Sequence, residues 1–155
     1  MKAWFVTKRL AFGSAVTTWQ HVEQLQALGI THVINLRSNK DGRKVRQFEH
    51  LWLSFKDDMK PRPKWFYRRA LRFYQKAMRK PNTKVLVMCH HGKCRSASLT
   101  YFLLRIDGFS PARAKLTVHK ARRCARIVPA YRESGEDFRS LYKVQQFIKG
   151  KQNKS

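Results

Sequence analysis

Cys89 closes the apolar run Val85-Leu86-Val87-Met88, and after five further residues Arg95-Ser96 opens a helix. A strand that runs into such a loop and then a helix builds an oxyanion cradle. Backbone N–H groups turn inward, and the positive end of the helix dipole favours a bound phosphate. The same field favours a thiolate at the start of the loop, which makes Cys89 a candidate nucleophile toward phosphorus. Arg95 offers a planar guanidinium that can hold two phosphoryl oxygens at once, as a lysine cannot. The Ser96 hydroxyl, one residue on, could hydrogen-bond the Cys89 sulfur both as attacking thiolate and as leaving group. Gly92 lets the chain fold tightly at mid-loop. His90, His91, Lys93 and Cys94 complete the ring of residues around a bound phosphate and are candidate substrate contacts.

Two other readings of the loop compete with this one. Cys89, His90, His91 and Cys94 are all zinc-ligand types, yet residues so close along the chain do not easily converge on one tetrahedral ion. No second Cys/His cluster exists to close a site, so neither a metal nor any other cofactor is expected. The other reading is a buried structural cysteine after a core strand, which would need neither the glycine nor the Arg-Ser pair at these offsets.

Cys89, Gly92, Arg95 and Ser96 resemble, in register, the His-Cys-x-x-Gly-x-x-Arg-Ser/Thr signature of the cysteine-dependent dual-specificity phosphatases. Met88 departs from it, because that family usually has a His there which helps to hold the loop. The difference bears on the reactivity of Cys89 more than on its identity. Residues 12–38, FGSAVTTWQHVEQLQALGITHVINLRS, also resemble the opening of these phosphatases, so the likeness extends over nearly the whole chain. It implies the phosphatase fold and a phosphocysteine intermediate. It further implies a general acid on a loop carried here by Lys56-Asp57-Asp58-Met59-Lys60-Pro61-Arg62-Pro63. The resemblance points to Asp57, whose separation from Cys89 is similar to the family's spacing between acid and cysteine. Asp58 is the rival, and otherwise a substrate contact; a solvated turn or a pair of helix caps is the non-catalytic alternative.

The elements that must position these residues alternate in type. Leu10-Ala15 reads as a strand. Thr17 or Thr18 then caps a helix with Trp19, Val22, Leu25 and Leu28 at helical spacing, stopped by Gly29. Ile30-Leu36 is a buried strand, Ser38-Lys44 a polar loop with an Asp-Gly turn, and Leu51-Phe55 the next strand. Lys64-Lys80 predicts a helix with an apolar stripe of Phe66, Ala70, Phe73, Tyr74, Ala77 and Met78, and with cations over most of the rest. Helices follow at Ser96-Ile106 and Pro111-Ala125, the latter capped by Ser110. A last helix, Glu136-Lys149, is expected to bury Phe138, Leu141, Val144 and Ile148 and to end at Gly150. The whole predicts one α/β domain over residues 1–150, a central, mostly parallel sheet flanked by helices, with a frayed polar tail at 151–155.

The chain has 155 residues, 43% of them hydrophobic, which is enough for one well-cored domain. No signal-peptide pattern and no membrane-spanning apolar run is present, so the cytoplasm is the expected compartment. The three cysteines, Cys89, Cys94 and Cys124, suit a reducing environment better than a disulfide framework. Lys and Arg number 34 against nine Asp and Glu, for a net charge of +25, and no carboxylate side chain lies between Asp58 and Asp107. Such a field steers anionic substrates and attracts polyanions: RNA, phosphoinositide head groups, an acidic membrane surface or an acidic phosphoprotein. The expected substrate is a phosphorylated protein, with phosphoinositide or RNA 5′-phosphates as alternatives. Lys93 suits a polyphosphorylated head group, whereas His91-Gly92 resembles RNA 5′-triphosphatases. A binding module that keeps the cradle but has lost the chemistry through Met88 is the reading from a different class.

Overall fold

The computed structural model describes residues 3–38 and 42–154. In chain order the elements are β1 (Ala3–Phe5), β2 (Leu10–Gly13), α1 (Trp19–Ala27), β3 (His32–Asn35), α2 (Gly42–Val45) and β4 (Glu49–Trp52). There follow α3 (Lys64–Met78), β5 (Val85–Met88), α4 (Arg95–Ile106), α5 (Pro111–Ala121) and α6 (Pro129–Lys154). The strands form one mixed sheet in the order β1-β2-β5-β3-β4, antiparallel between β1 and β2 and parallel elsewhere. β5 is therefore central, and the cradle leaves its carboxyl end, where parallel α/β sheets open onto ligands.

The period-two alternation of strand side chains divides the core. Leu10, Phe12, Ile34, Val85 and Val87 join the cluster built with α3, α4, α5 and α6. Ala11, Val33, Leu86 and Met88 face the opposite side, where Val22 and Leu25 of α1 and Val45 of α2 cover them. Both faces are buried, which is why these strands read as continuous apolar runs. On the α3 side, Phe102 lies between Tyr67 and Phe138, with ring centroids 4.9 and 5.9 Å away. The Arg105 guanidinium donates to both Glu136 carboxylate oxygens, at 2.6 and 3.2 Å, and so clamps α4 to α6.

Local signals in the sequence set most boundaries. Thr18 Oγ1 accepts from the His21 amide, Ser110 Oγ accepts from the Arg113 amide, and Gly29, at φ +84°, ends the turn after α1. Several expectations need correction. β1 was not anticipated. β4 lies two or three residues earlier than expected, because its register is set by pairing with β3. The polar loop expected at Ser38-Lys44 includes Asn39, Lys40 and Asp41, which lie outside the described residues, and Gly42 of its Asp-Gly pair opens the short α2. α5 ends at Ala121, where Arg122 turns to extended backbone. α6 begins seven residues early and does not stop at Gly150, so residues 151–154 are helical and not a frayed tail. Phe138 is buried as expected, but Leu141, Val144 and Ile148 are exposed, because no described element covers that side of α6.

Phe102→Ala should lower unfolding free energy by about 3–5 kcal/mol, the usual range for a buried phenylalanine. Val144→Ala should change it by less than about 0.5 kcal/mol, as exposed positions do. Urea denaturation of the two variants checks both.

Candidate active site

The cradle is held by contacts of its own backbone. The Cys89 amide donates to Gly13 O at 3.2 Å, and the Ala15 amide donates to His90 O at 3.1 Å. The loop thus lies across the turn that links β2 to α1. Gly92 sits at φ +65°, and a Cβ there would stand 2.6 Å from Gly13 C and 2.8 Å from Ser14 N. Conformation and space both demand glycine.

Around this loop the sequence-predicted residues come together. Cys89 is 3% exposed, and its thiol donates to the fully buried Ser96 Oγ at 3.2 Å. With the thiol ionised the same contact reverses, the hydroxyl donating to sulfur. Arg95, at the first residue of α4, donates through Nη1 to Leu36 O at 3.2 Å and Phe55 O at 3.0 Å. Two chain segments beyond β3 and β4 therefore fix the guanidinium. His90, His91 and Lys93 are exposed at the mouth, with the two histidine rings 4.3 Å apart. Cys94 is half-buried, and its thiol is pushed up from its ordinary pKa, first by burial and then by the charges of Asp57 and Cys89. Among the described residues, no group of three or more His, Cys, Asp or Glu side chains is arranged to hold a metal ion.

The two aspartates differ sharply in surroundings. Asp57 Oδ1 accepts from the Tyr131 hydroxyl at 3.0 Å, and that hydroxyl in turn accepts from the Met59 amide at 3.0 Å. Burial chiefly, helped by the Asp57 carboxylate, pushes the Tyr131 phenol up to about 12, so the phenol stays a donor at any ordinary pH. Asp58 is occupied locally. It accepts from the Lys60 amide at 3.0 Å and from Arg62 Nη2 at 2.8 Å, and these contacts, the amide first, hold its carboxyl below the usual range. Arg62 also lies over the Phe55 and Tyr131 rings, 4.7 and 5.7 Å from their centroids, and its amide donates to Ser134 Oγ. Asp58 and Arg62 shape the loop, and Asp57 is the carboxylate that α6 orients.

Two residues of this arrangement escaped the sequence reading. Tyr131 lies 74 residues after Asp57, with no local pattern to link them. Arg122, one of many arginines, donates through Nη1 to His91 O at 2.7 Å and Gly92 O at 2.5 Å, while its guanidinium covers the Trp4 ring at 4.0 Å. It ties down two successive carbonyls of the loop.

The sequence profile of the dual specificity phosphatase catalytic domain matches residues 12–134. The chain belongs to the dual specificity phosphatase family. As such it is a hydrolase of the protein-tyrosine-phosphatase-like type. Solved structures agree on the fold. A mouse putative dual specificity phosphatase complexed with zinc tungstate shares 23% identity at a TM-score of 0.79, over 93% of this chain and 90% of that one. Human DUSP28 shares 24% at 0.77, over 91% and 95%. PTPMT1 in complex with PI(5)P shares 18% at 0.79, over 93% and 98%.

Gly92→Ala is expected to displace the loop from Gly13 and Ser14. Arg122→Ala should weaken phosphate binding about tenfold or more, in keeping with the loss of charge-assisted hydrogen bonds. Competitive inhibition by inorganic phosphate measures both, with Arg122→Lys recovering part of the loss.

Proposed function

We propose that this phosphatase hydrolyses phosphate monoesters through a phosphocysteine on Cys89, with Asp57 as general acid and then general base. The observation that carries the proposal is the Cys89–Ser96 contact at the start of an anion-binding loop, with Arg95 held beside it by the Leu36 and Phe55 carbonyls. In the first step the thiolate attacks phosphorus and the phosphorus–oxygen bond to the leaving group breaks. The proton of the Asp57 carboxyl passes to that oxygen. Arg95 and the loop amides stabilise the equatorial oxygens as charge shifts onto them. In the second step water attacks phosphorus while Asp57, now a carboxylate, takes its proton. The sulfur departs as a thiolate that accepts a hydrogen bond from Ser96.

The contacts of Tyr131 with Asp57 and of Arg62 with Asp58 support Asp57 over Asp58 in this role. A carboxyl held ionised by a cation and an amide is a poor proton donor. The combined presence of nucleophile, anchored arginine and oriented acid supports an enzyme over a phosphate-binding module, which would need no acid. Met88 does not oppose this, because its side chain lies in the α1-side core. A phosphorylated protein is the preferred substrate, since the exposed His90, His91 and Lys93 make a shallow mouth that suits a phosphoresidue on a bulky chain. The second reading is a phosphoinositide. Exposed Lys93 and the PI(5)P bound to the structurally similar PTPMT1 favour it.

Cys89→Ser should abolish hydrolysis of p-nitrophenyl phosphate while phosphate still binds, and chelators should leave the wild type unaffected. Retained turnover in Cys89→Ser sinks the mechanism. Asp57→Asn should reduce turnover by about 10²–10⁴ for alkyl phosphates and much less for nitrophenyl phosphate, whose leaving group needs no proton. Asp58→Asn should have a far smaller effect; the reverse ranking would move the acid to Asp58.

A further inference from the structure

The last turns of α6 combine two features that the catalytic reading leaves without use. Leu141, Val144, Phe147 and Ile148 are 44%, 56%, 64% and 48% exposed. They are four of the ten large hydrophobic side chains exposed among the described residues, within one stretch of eight. At about 100° per residue they occupy one arc of roughly 120° on the helix surface. The second feature is charge. Residues 138–155 contain Arg139, Lys143, Lys149, Lys151 and Lys154 and no carboxylate side chain. Lys143 and Lys149 lie to either side of the apolar arc, and Lys151 lies within it, its Nζ 4.8 Å from the Phe147 ring centroid. Alongside runs α3, tied to α6 by a hydrogen bond from Gln75 to the Tyr142 hydroxyl. Arg72, Arg79 and Lys149, together with Asp107, line a groove of about 680 Å³ between α3, α6 and the end of α4. Arg68 and Lys76 are exposed on the same helix α3.

We propose that this end of α6 is an interfacial helix that seats its apolar arc in an anionic lipid surface. An amphipathic helix with large apolar side chains on one face and lysines around them is the form that such surfaces take up. The lysines of α6 that flank the arc, Lys143 and Lys149, and Lys151 at its end would meet lipid phosphate and carboxylate groups. Other occupants fit less well. A second copy of this chain would bring a net charge of +25 against another +25 and leave the lysines unmatched. RNA would answer the cations but leave the apolar arc in water. The seat is remote from the chemistry: Tyr131, which holds Asp57, is 16 residues before Phe147, or about 24 Å along the helix axis. Lipid binding there leaves the cradle open to a soluble substrate.

The experiment is co-sedimentation of the full chain with vesicles of phosphatidylcholine alone and of phosphatidylcholine mixed with phosphatidylserine. The wild type should bind the mixed vesicles, more weakly as salt rises, and not the neutral ones. Joint substitution of Leu141, Val144, Phe147 and Ile148 by Gln should weaken binding about tenfold or more, with thermal stability and p-nitrophenyl phosphate turnover unchanged. Joint substitution of Lys143, Lys149 and Lys151 by Gln should also weaken it. If the apolar variant binds as the wild type does, charge alone is responsible and the proposal falls. It falls equally if no vesicle binds, if RNA binding proves sensitive to the apolar variant, or if that variant merely converts a dimer to a monomer. Repeating the measurement with Cys89→Ser separates it from the phosphatase reading, since vesicle binding needs no nucleophile.

Discussion

The close approach of Gly92 to the Gly13–Ser14 backbone is the constraint from which the rest of the site follows. The loop from Cys89 to Cys94 can lie over the β2–α1 turn only because no side chain intervenes. The sheet prepares that approach. β2 pairs in parallel with β5, with Gly13 opposite Met88, so the two chains leave the sheet side by side. One starts the turn into α1 and the other becomes the cradle. With the loop pressed there, the Cys89 sulfur lies beside Ser96 at the start of α4, and α4 is fixed in turn by its burial between the sheet, α5 and α6. Arg122 holds the far side of the same loop by its carbonyls. A loop clamped on both sides needs little reorganisation when charge develops, which is the condition for electrostatic catalysis.

The few carboxylates of this basic chain are disposed with evident economy. Glu136 binds Arg105 and lies 3.7 Å from Arg139, Asp107 accepts from Tyr74, and Asp58 binds Arg62. Burial raises the Asp107 carboxyl, and burial with the adjacent acid raises the Tyr74 phenol, so the phenol stays the donor in this contact between α3 and the end of α4. Each of these acids joins or shapes elements of the framework. What remains is a surface of cations that few carboxylates offset, and fields of this kind act on partners rather than on the fold.

Most of the fold was legible because its signals are local. Strands with both faces covered, a Thr cap, a Ser-Pro helix start and a glycine stop each carry their cause within a few residues. The thiol, guanidinium and hydroxyl of the proposed site were legible for the same reason, being confined to Cys89 through Ser96. The failures were contacts and absences of contact. Hydrophobic spacing at Leu141, Val144 and Ile148 states which face of α6 is apolar but not whether a neighbour exists to cover it. Arg122 has the same local appearance as Arg123 and Arg126, and only the approach of α5 to the loop distinguishes it. The contact that supports Asp57 over its neighbour comes from Tyr131, 74 residues further along the chain.

Met88 is the departure from the family signature that most needs a physical account, and strand alternation supplies it. Successive residues of β5 point to opposite faces, so Met88 and Cys89 cannot both face the cradle. Met88 is fully buried with Val22, Leu25 and Leu86. An imidazole at that position would be enclosed by apolar side chains and would need a buried partner for each ring nitrogen. An apolar residue fits the core directly and gives up whatever support a histidine gives the loop. That support has other sources here: the Gly92 contact, the Cys89 and His90 hydrogen bonds to the β2–α1 turn, and the Arg122 clamp. In the proposed mechanism, stabilising charge on the sulfur then falls to the Ser96 hydroxyl, the loop amides and Arg95, groups that lie on the cradle side of the sheet and are unaffected by what fills the other.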